Sequence, residues 1–134
     1  MKLLIVDDEP DARDMLDLML RQCDADVMVT ATVREGLEAI EQWMPDVLVS
    51  DIGMPVEDGY VLINKVRSLE PERGGDTPAV ALTGYASLED RQRLLASGYQ
   101  AHLTKPVEIA ELVREIVRLT GRSDKLPAGK QDTP

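Results

Sequence analysis

Short apolar runs alternate with longer amphipathic segments along most of the chain, and this alternation constrains the fold more than any other feature. Each apolar run has the length of a strand, and each amphipathic segment repeats its apolar residues at helical spacing. Strict alternation of strand-like and helix-like segments, with near-continuously apolar strands, indicates a parallel sheet covered by helices on both faces. Right-handed crossovers make this a doubly wound α/β domain with three layers. The five predicted strands are Leu3–Val6, Val27–Thr30, Val47–Ser50, Ala79–Leu82 and Ala101–Leu103.

Residues typical of helix ends separate these segments. Pro10 suits the first turn of a helix, and Asp58 precedes Gly59 at the predicted start of the third helix. The pairs Thr32 with Glu35 and Ser87 with Asp90 have the spacing of a capping box. We therefore expect five helices, one after each strand.

The last predicted helix is closed by Gly121, and the sequence changes character beyond it. RSDKLPAGKQDTP has no periodicity and is rich in proline, glycine and charge, which predicts a disordered tail or linker over 122–134. Residues 1–121 are predicted to form one domain. The segment PERGGDTP, residues 71–78, is predicted to be a loop within it.

Composition excludes several classes of protein. No apolar run approaches the roughly 20 residues that a membrane helix needs. The apolar segment in the N-terminal sequence MKLLIVDDEP is too short for a secretory signal. We therefore expect a cytoplasmic protein. The single cysteine, Cys23, excludes an internal disulfide and any site with several cysteine ligands. The net charge of −10 argues against direct binding to nucleic acid.

Polar residues follow four of the predicted strands, at the sheet edge where doubly wound domains bind ligands. Asp7 and Asp8 follow the first strand, Asp51 the third, Thr83 the fourth and Lys105 the fifth. If the first and third strands are neighbours, three carboxylates converge, and each pair at about 4 Å costs about 4 kcal/mol at an effective dielectric of 20. Either a carboxylate binds a proton or a divalent cation neutralises the cluster. Oxygen ligands at a half-open site suit Mg²⁺.

This set of groups suits one type of reaction. A carboxylate nucleophile, a metal ion, a lysine and a hydroxyl form a phosphoryl-transfer site, because that reaction depends mainly on positioning and charge neutralisation. One acid after one strand is usually a turn or cap residue. Agreement among four strand ends favours a functional site.

The motifs at these strand ends resemble those of the receiver domain of bacterial two-component response regulators. They are DDEP after the first strand, the DxxMPxxDG pattern over Asp51–Gly59, the ALTGYA run and the Lys-Pro pair. The resemblance extends from Lys2 to about Thr120. It implies a flavodoxin-like fold, with a five-stranded parallel sheet in the order 2-1-3-4-5 and five helices.

The resemblance also implies roles for individual residues. Asp51 would accept the phosphoryl group. Asp8 would bind Mg²⁺ directly and Asp7 through water, with Asp51 and the Gly53 carbonyl as further ligands. Lys105 would pair with a phosphoryl oxygen.

Further positions are implied to control the signal. Thr83 would move toward the phosphoryl oxygen and report phosphorylation to the face formed by the fourth helix, fifth strand and last helix. His102 stands where the family usually has an aromatic switch residue, three positions before the lysine. Gly53 and Tyr85 occupy the two places that tune hydrolysis. The Lys105–Pro106 bond would be cis.

The implied function is a phosphoacceptor module of a phosphorelay. Its partners would be a histidine kinase or histidine phosphotransfer protein and a downstream protein or output domain, with the module itself a monomer or weak homodimer. It would catalyse only its own phosphorylation and dephosphorylation. The ALTGYA and QAHLTKPV runs favour the receiver of a hybrid kinase over a stand-alone regulator.

Three alternatives remain open at this point. A Mg²⁺-dependent phosphatase with an aspartyl nucleophile would have a second acid two residues later, where this chain has Gly53. A nucleotide- or flavin-binding domain would have a Gly-rich loop after the first strand, where DDEP stands. A pseudo-receiver would act as an interaction module without phosphorylation, but such proteins usually lose an acid or the lysine.

Overall fold

The computed structural model describes residues 1–84 and 87–121, and over these ranges strands and helices alternate as predicted. The strands are β1 (Lys2–Val6), β2 (Asp26–Thr30), β3 (Val47–Asp51), β4 (Ala79–Thr83) and β5 (Ala101–Thr104). The helices are α1 (Pro10–Arg21), α2 (Val33–Trp43), α3 (Gly59–Arg67), α4 (Leu88–Ser97) and α5 (Ile109–Thr120). The predicted tail over 122–134 lies outside the described residues.

The five strands form one parallel sheet in the order β2-β1-β3-β4-β5. One apolar cluster, which includes Leu16, Leu20 and Ile116, forms where α1 and α5 pack on one face of the sheet. Ile40 and Leu62 belong to a second cluster, in which α2, α3 and α4 pack on the other face. The doubly wound, three-layer fold and the strand order are therefore confirmed.

Three strands run one residue beyond their predicted ends, to Asp51, Thr83 and Thr104. The predicted strands stopped just before Asp51, Thr83 and Thr104, whereas each strand continues for as long as the backbone ladder does. The Ile52 amide donates to the Leu82 carbonyl at 3.0 Å, and the Lys105 amide donates to the Thr83 carbonyl at 2.8 Å. The polar residues at the sheet edge are thus held by the sheet itself.

Side chains cap the helices at the predicted residues. The Thr32 hydroxyl accepts from the Glu35 amide at 3.1 Å, and the Ser87 hydroxyl accepts from the Asp90 amide at 3.1 Å. The Glu35 carboxylate accepts from the amide of Ala31, one residue before the position expected for a capping box.

Two further features concern the predicted loop over 71–78 and the length of the helices. The predicted loop over 71–78 contains one turn of 3-10 helix, Pro71–Arg73. None of the helices in the described ranges combines the length and apolar character needed to cross a bilayer.

Candidate functional site

Three carboxylates meet at the carboxyl ends of β1 and β3, as the sequence predicts. Asp51 is the last residue of β3, and Asp7 follows β1 directly. The pairing of Val6 with Ser50 places these two acids side by side. Asp7, Asp8 and Asp51 each offer an oxygen atom, and these atoms lie within 4.8 Å of one another.

Asp7 is the most deeply buried acid of the cluster, with 1% of its surface exposed. Its Oδ1 accepts from the Glu9 amide at 2.9 Å, whereas its buried Oδ2 has no hydrogen-bond partner among the described residues. Burial raises the pKa of Asp7, and the charges of Asp51 and Asp8 raise it further, although the Glu9 amide and Lys105 oppose the rise. The charged form of Asp7 is therefore disfavoured, and a cation close to the carboxylate would stabilise it.

Asp51 is buried at the end of β3, with its carboxylate in contact with two donors. The Lys105 ammonium lies 2.9 Å from Asp51 Oδ1, and the Gly53 amide donates to the same oxygen at 3.3 Å. Asp8 is the more exposed acid of the three. The buried pair and the exposed acid together form a half-open oxygen site.

Lys105 is the cation within this cluster, and it follows β5 directly. Its Nζ also lies 3.9 Å from Asp7 Oδ2, and the Lys105–Pro106 bond is cis, as the resemblance implied. Burial alone would lower the pKa of Lys105, but the hydrogen bond to Asp51 and the charges of Asp51, Asp7 and Glu9 outweigh it, so the pKa is raised. Among the described residues, three carboxylates thus face one ammonium group, and the excess negative charge suits a divalent cation.

Thr83 and His102 lie on the two strands next to this cluster. Thr83 is buried at the end of β4 and pairs with Thr104, while His102 is half-buried on β5 and pairs with Ala81. Because side chains alternate along a strand, Thr83 and His102 share one face of the sheet. Tyr85, the other predicted control residue, lies outside the described residues.

Gly53 and Gly59 have opposite surroundings in the β3–α3 loop. A Cβ atom on Gly53 would meet nothing within 4 Å, so the space beside Asp51 is open. A Cβ atom on Gly59 would lie 2.7 Å from the Asp51 carbonyl oxygen, which means that the start of α3 packs directly on the backbone of Asp51. Approach to the buried Asp51 carboxylate is therefore not blocked at Gly53 by any described residue.

Sequence reasoning missed two buried polar residues under this site. Ser50 is fully buried beside Asp51, and Tyr99 is buried against the start of α3. A signal for Ser50 was present, because it is the one polar residue before Asp51 in an otherwise apolar strand. Tyr99 carried no comparable signal, since its contacts lie 40 residues away along the chain.

Comparison with known proteins identifies the family. The family model described as the response regulator receiver domain matches residues 3–117. An uncharacterised 14.6 kDa protein of Leptolyngbya boryana is 48% identical over 114 residues, which cover 85% of this chain and 86% of the relative. Sensor protein GacS of Pseudomonas syringae pv. syringae is 30% identical over 128 residues, which cover 95% of this chain and 14% of that protein.

A solved structure of a receiver domain is also similar to this chain. The receiver domain of a sensor histidine kinase from Pseudomonas aeruginosa PAO1, with a magnesium ion coordinated in its active-site cleft, superimposes with a TM-score of 0.81. It is 32% identical to this chain, and the match covers 90% of this chain and 97% of that one. This chain spans about half the length, or less, of several other curated relatives.

Proposed function

The chain belongs to the response regulator receiver domain family, and we propose that Asp51 is the residue that accepts the phosphoryl group. The protein is a phosphoacceptor signalling domain of a two-component phosphorelay. The observation that carries the assignment to Asp51 is its contact with Lys105 at 2.9 Å, at a strand end beside two further carboxylates. Open space at Gly53 supports access by a phosphodonor.

Transfer of the phosphoryl group needs a nucleophile and a cation that balances the negative charge of the group. A carboxylate oxygen of Asp51 attacks the phosphorus of a kinase phosphohistidine, the P–N bond breaks, and its electron pair returns to the imidazole nitrogen. Lys105 pairs with a phosphoryl oxygen and balances the charge that the group brings into the site. The Gly53 amide holds the carboxylate in place before the transfer. Positioning and electrostatics of this kind account for most of the catalysis in phosphoryl transfer.

The residues fit a bound Mg²⁺. Asp8 would bind it directly and Asp7 through water, with Asp51 and the Gly53 carbonyl as further ligands. Two observations support this assignment: Asp7 Oδ2 has no hydrogen-bond partner among the described residues, and the three carboxylate oxygens are clustered. When bound, the ion neutralises carboxylate and phosphoryl charge during the transfer.

We assign the response to phosphorylation to Thr83 and His102. Thr83 would move toward the phosphoryl group, and His102 would follow on the same sheet face, changing the surface of α4, β5 and α5. The test is His102→Ala. If phosphorylation shifts the amide resonances of α5 equally in H102A and wild type, His102 has no part in the switch.

Gly53 and Tyr85 are proposed to set the lifetime of the phosphorylated state. Gly53 leaves room for an attacking water, and Tyr85 would shield the group from it. The domain would then catalyse its own phosphorylation and dephosphorylation and turn over no metabolite.

The partners and setting follow from the same proposal. A histidine kinase or histidine phosphotransfer protein would donate the group, and a downstream protein or output domain would respond. The net charge of −10 disfavours direct binding to DNA. We propose a cytoplasmic monomer or weak homodimer in which residues 1–121 form the receiver. Origin in a hybrid kinase stays a prediction.

The alternative functions are not favoured. An aspartyl phosphatase lacks its second acid, because Gly53 stands two residues after Asp51. A pseudo-receiver reading conflicts with the convergence of Asp7, Asp8, Asp51 and Lys105 at one site.

Beryllofluoride provides the test of the site, because it mimics a phosphoryl group on an aspartate. Fluorine NMR is recorded for wild type and Asp51→Asn with beryllofluoride, with and without Mg²⁺. We expect a bound resonance in wild type only when Mg²⁺ is present, and none in D51N. A bound resonance of equal intensity in D51N would reject Asp51 as the acceptor.

A further inference from the structure

Tyr99 joins the end of α4 to the start of α3 through one buried hydrogen bond. It follows Gly98, the residue that ends α4, and its amide donates to the Leu94 carbonyl at 3.2 Å within that helix end. Its side chain is 2% exposed. The Tyr99 hydroxyl donates to the Gly59 carbonyl at 2.7 Å. One residue is therefore part of the α4 terminus and also bound to the end of the β3–α3 loop.

Gly59, the acceptor of that bond, is packed onto the phosphoacceptor strand. Its amide donates to the Ile52 carbonyl at 3.1 Å. An added Cβ would lie 2.7 Å from the Asp51 carbonyl oxygen and 2.9 Å from Ile52 Cα, so the two backbones are in direct contact. Gly59 thus closes the loop that begins at Ile52 and includes Gly53. A shift of Gly59 would be transmitted to the backbone of both ends of this loop.

Ser50 extends the network beneath Asp51. Its hydroxyl is fully buried and donates to the Asp51 carbonyl at 3.0 Å. Burial raises the pKa of Tyr99 well above its usual value, and the neighbouring Ser50 hydroxyl opposes this rise only in part. A raised pKa favours the protonated phenol, the form that donates to the Gly59 carbonyl. Buried polar groups that all have hydrogen-bond partners hold one geometry. Removal of one partner leaves the other buried without a hydrogen bond, which costs free energy.

We propose that Tyr99 is a positioning residue that couples the C-terminal end of α4 to the β3–α3 loop beside Asp51. The loop carries Gly53, so the role of this coupling in metal binding rests on the function proposed above. Leu94 is the one buried residue of α4, so few apolar contacts hold this helix. Arg67 of α3 also donates to the Gly98 carbonyl at 2.8 Å, but of these two bonds only the one from Tyr99 ends on Gly59.

The coupling acts in both directions, because linkage between two sites is reciprocal. A ligand that fixes the β3–α3 loop restrains the end of α4, and a partner that displaces α4 loosens the loop. This route runs through α3 and is separate from the one assigned to Thr83 on β4.

The test uses Tyr99→Phe, which removes only the hydroxyl, and Tyr60→Phe as the matched control. Tyr60 is the next residue after Gly59, and its ring stacks under the Arg93 guanidinium at 3.8 Å. Amide hydrogen exchange is measured by NMR in the 134-residue chain without Mg²⁺. We expect the Gly59 amide to exchange about tenfold faster in Y99F, the size of effect that one net buried hydrogen bond produces. The Gly53 amide resonance shifts in the same variant, and Y60F matches wild type in both respects.

A second readout separates positioning from general loss of stability. We expect the Mg²⁺ dissociation constant of Y99F, followed by the Gly53 resonance, to rise about threefold or more. The phosphorylation rate at saturating Mg²⁺ stays close to wild type, because no reacting group has been removed. Ser50→Ala is the second variant, and it accelerates exchange at Gly59 to a smaller extent.

Equal Gly59 exchange in Y99F, S50A and wild type would overturn the proposal. An equal change in Y60F and Y99F would also overturn it, since the effect would then not depend on the Gly59 bond. The exchange measurement needs neither metal nor phosphate. A failure of the proposed function would appear instead as the absence of Mg²⁺ binding in wild type.

Discussion

The Lys105 ammonium lies 2.9 Å from Asp51 Oδ1 and is the cation that balances the proposed phosphoacceptor. Lys105→Met leaves the clustered carboxylates without this charge. We expect the free energy of unfolding of the metal-free protein to fall by about 1–2 kcal/mol, less than for a fully buried pair because the lysine side chain is partly exposed. Urea unfolding measures the change, and saturating Mg²⁺ should reverse part of it.

Lys65→Met is the control for this prediction. Lys65 makes an ion pair of similar length, 3.0 Å, with Glu57, but both side chains are about half exposed. Such surface pairs contribute little, so the expected change is within about 0.5 kcal/mol. Equal losses in K105M and K65M would contradict the special role of the Lys105 pair.

Asp7→Asn should stabilise the metal-free protein above the pKa of Asp7. The pKa of this carboxyl is raised by burial, so the folded state disfavours its charged form, and stability is lost as pH rises through the raised pKa. Asparagine does not titrate and avoids that loss. We expect a gain of the order of 1 kcal/mol at neutral pH, which disappears in acid where Asp7 is protonated. Urea unfolding across pH without metal tests this.

Mg²⁺ provides a further comparison for the same variant. The ion should stabilise wild type more than D7N, because the buried Asp7 charge is part of what it neutralises. If metal-free D7N is less stable than wild type at neutral pH, the buried charge of Asp7 does not destabilise the fold and the prediction is wrong.

The two glycines of the β3–α3 loop should respond differently to alanine. Gly53→Ala adds a methyl group to open space and should change stability by no more than about 0.5 kcal/mol. Gly59→Ala forces a methyl group against the Asp51 carbonyl oxygen and should cost about 2 kcal/mol or more. Thermal and urea unfolding of both variants compare them directly. A G59A protein as stable as G53A would show that α3 does not pack on Asp51 as described.

Val56→Asn should stabilise the fold. Val56 is fully exposed and has a φ of 66°, a left-handed conformation that a β-branched residue adopts at a cost. Asparagine tolerates this region, so we expect a gain of about 1 kcal/mol in the free energy of unfolding. Val56→Thr keeps the branched Cβ and should stay within about 0.5 kcal/mol of wild type. A gain in V56T equal to that in V56N would show that backbone strain is not the cause.

Much of the fold could be predicted because it depends on local pattern. Apolar runs such as Val47–Val49 and caps such as Thr32 specify strands and helices within a few residues of themselves. The cluster of Asp7, Asp8 and Asp51 could be predicted because the carboxyl ends of neighbouring parallel strands share one edge. The strand order itself came from the family resemblance, since periodicity does not determine which strands are adjacent.

What could not be predicted depends on side-chain direction and on contacts between distant segments. The bond from Tyr99 to Gly59 joins residues 40 positions apart, and no local pattern indicates it. The left-handed backbone of Val56 contradicts the preference of valine, so local propensity points the other way. The extra residue at the end of β3 follows from hydrogen bonding by the neighbouring strand, which the apolar pattern does not report.

Phosphorylation by a small donor tests whether Asp51 is the phosphoacceptor. Wild type and D51N are incubated with acetyl phosphate and Mg²⁺, and intact mass and peptide mass spectrometry locate any adduct. We predict one phosphoryl group per chain in wild type, located on Asp51, formed only with Mg²⁺ and absent from D51N. An unmodified wild-type protein, or a D51N protein modified to the same extent, would contradict the assignment of Asp51 as the phosphoacceptor.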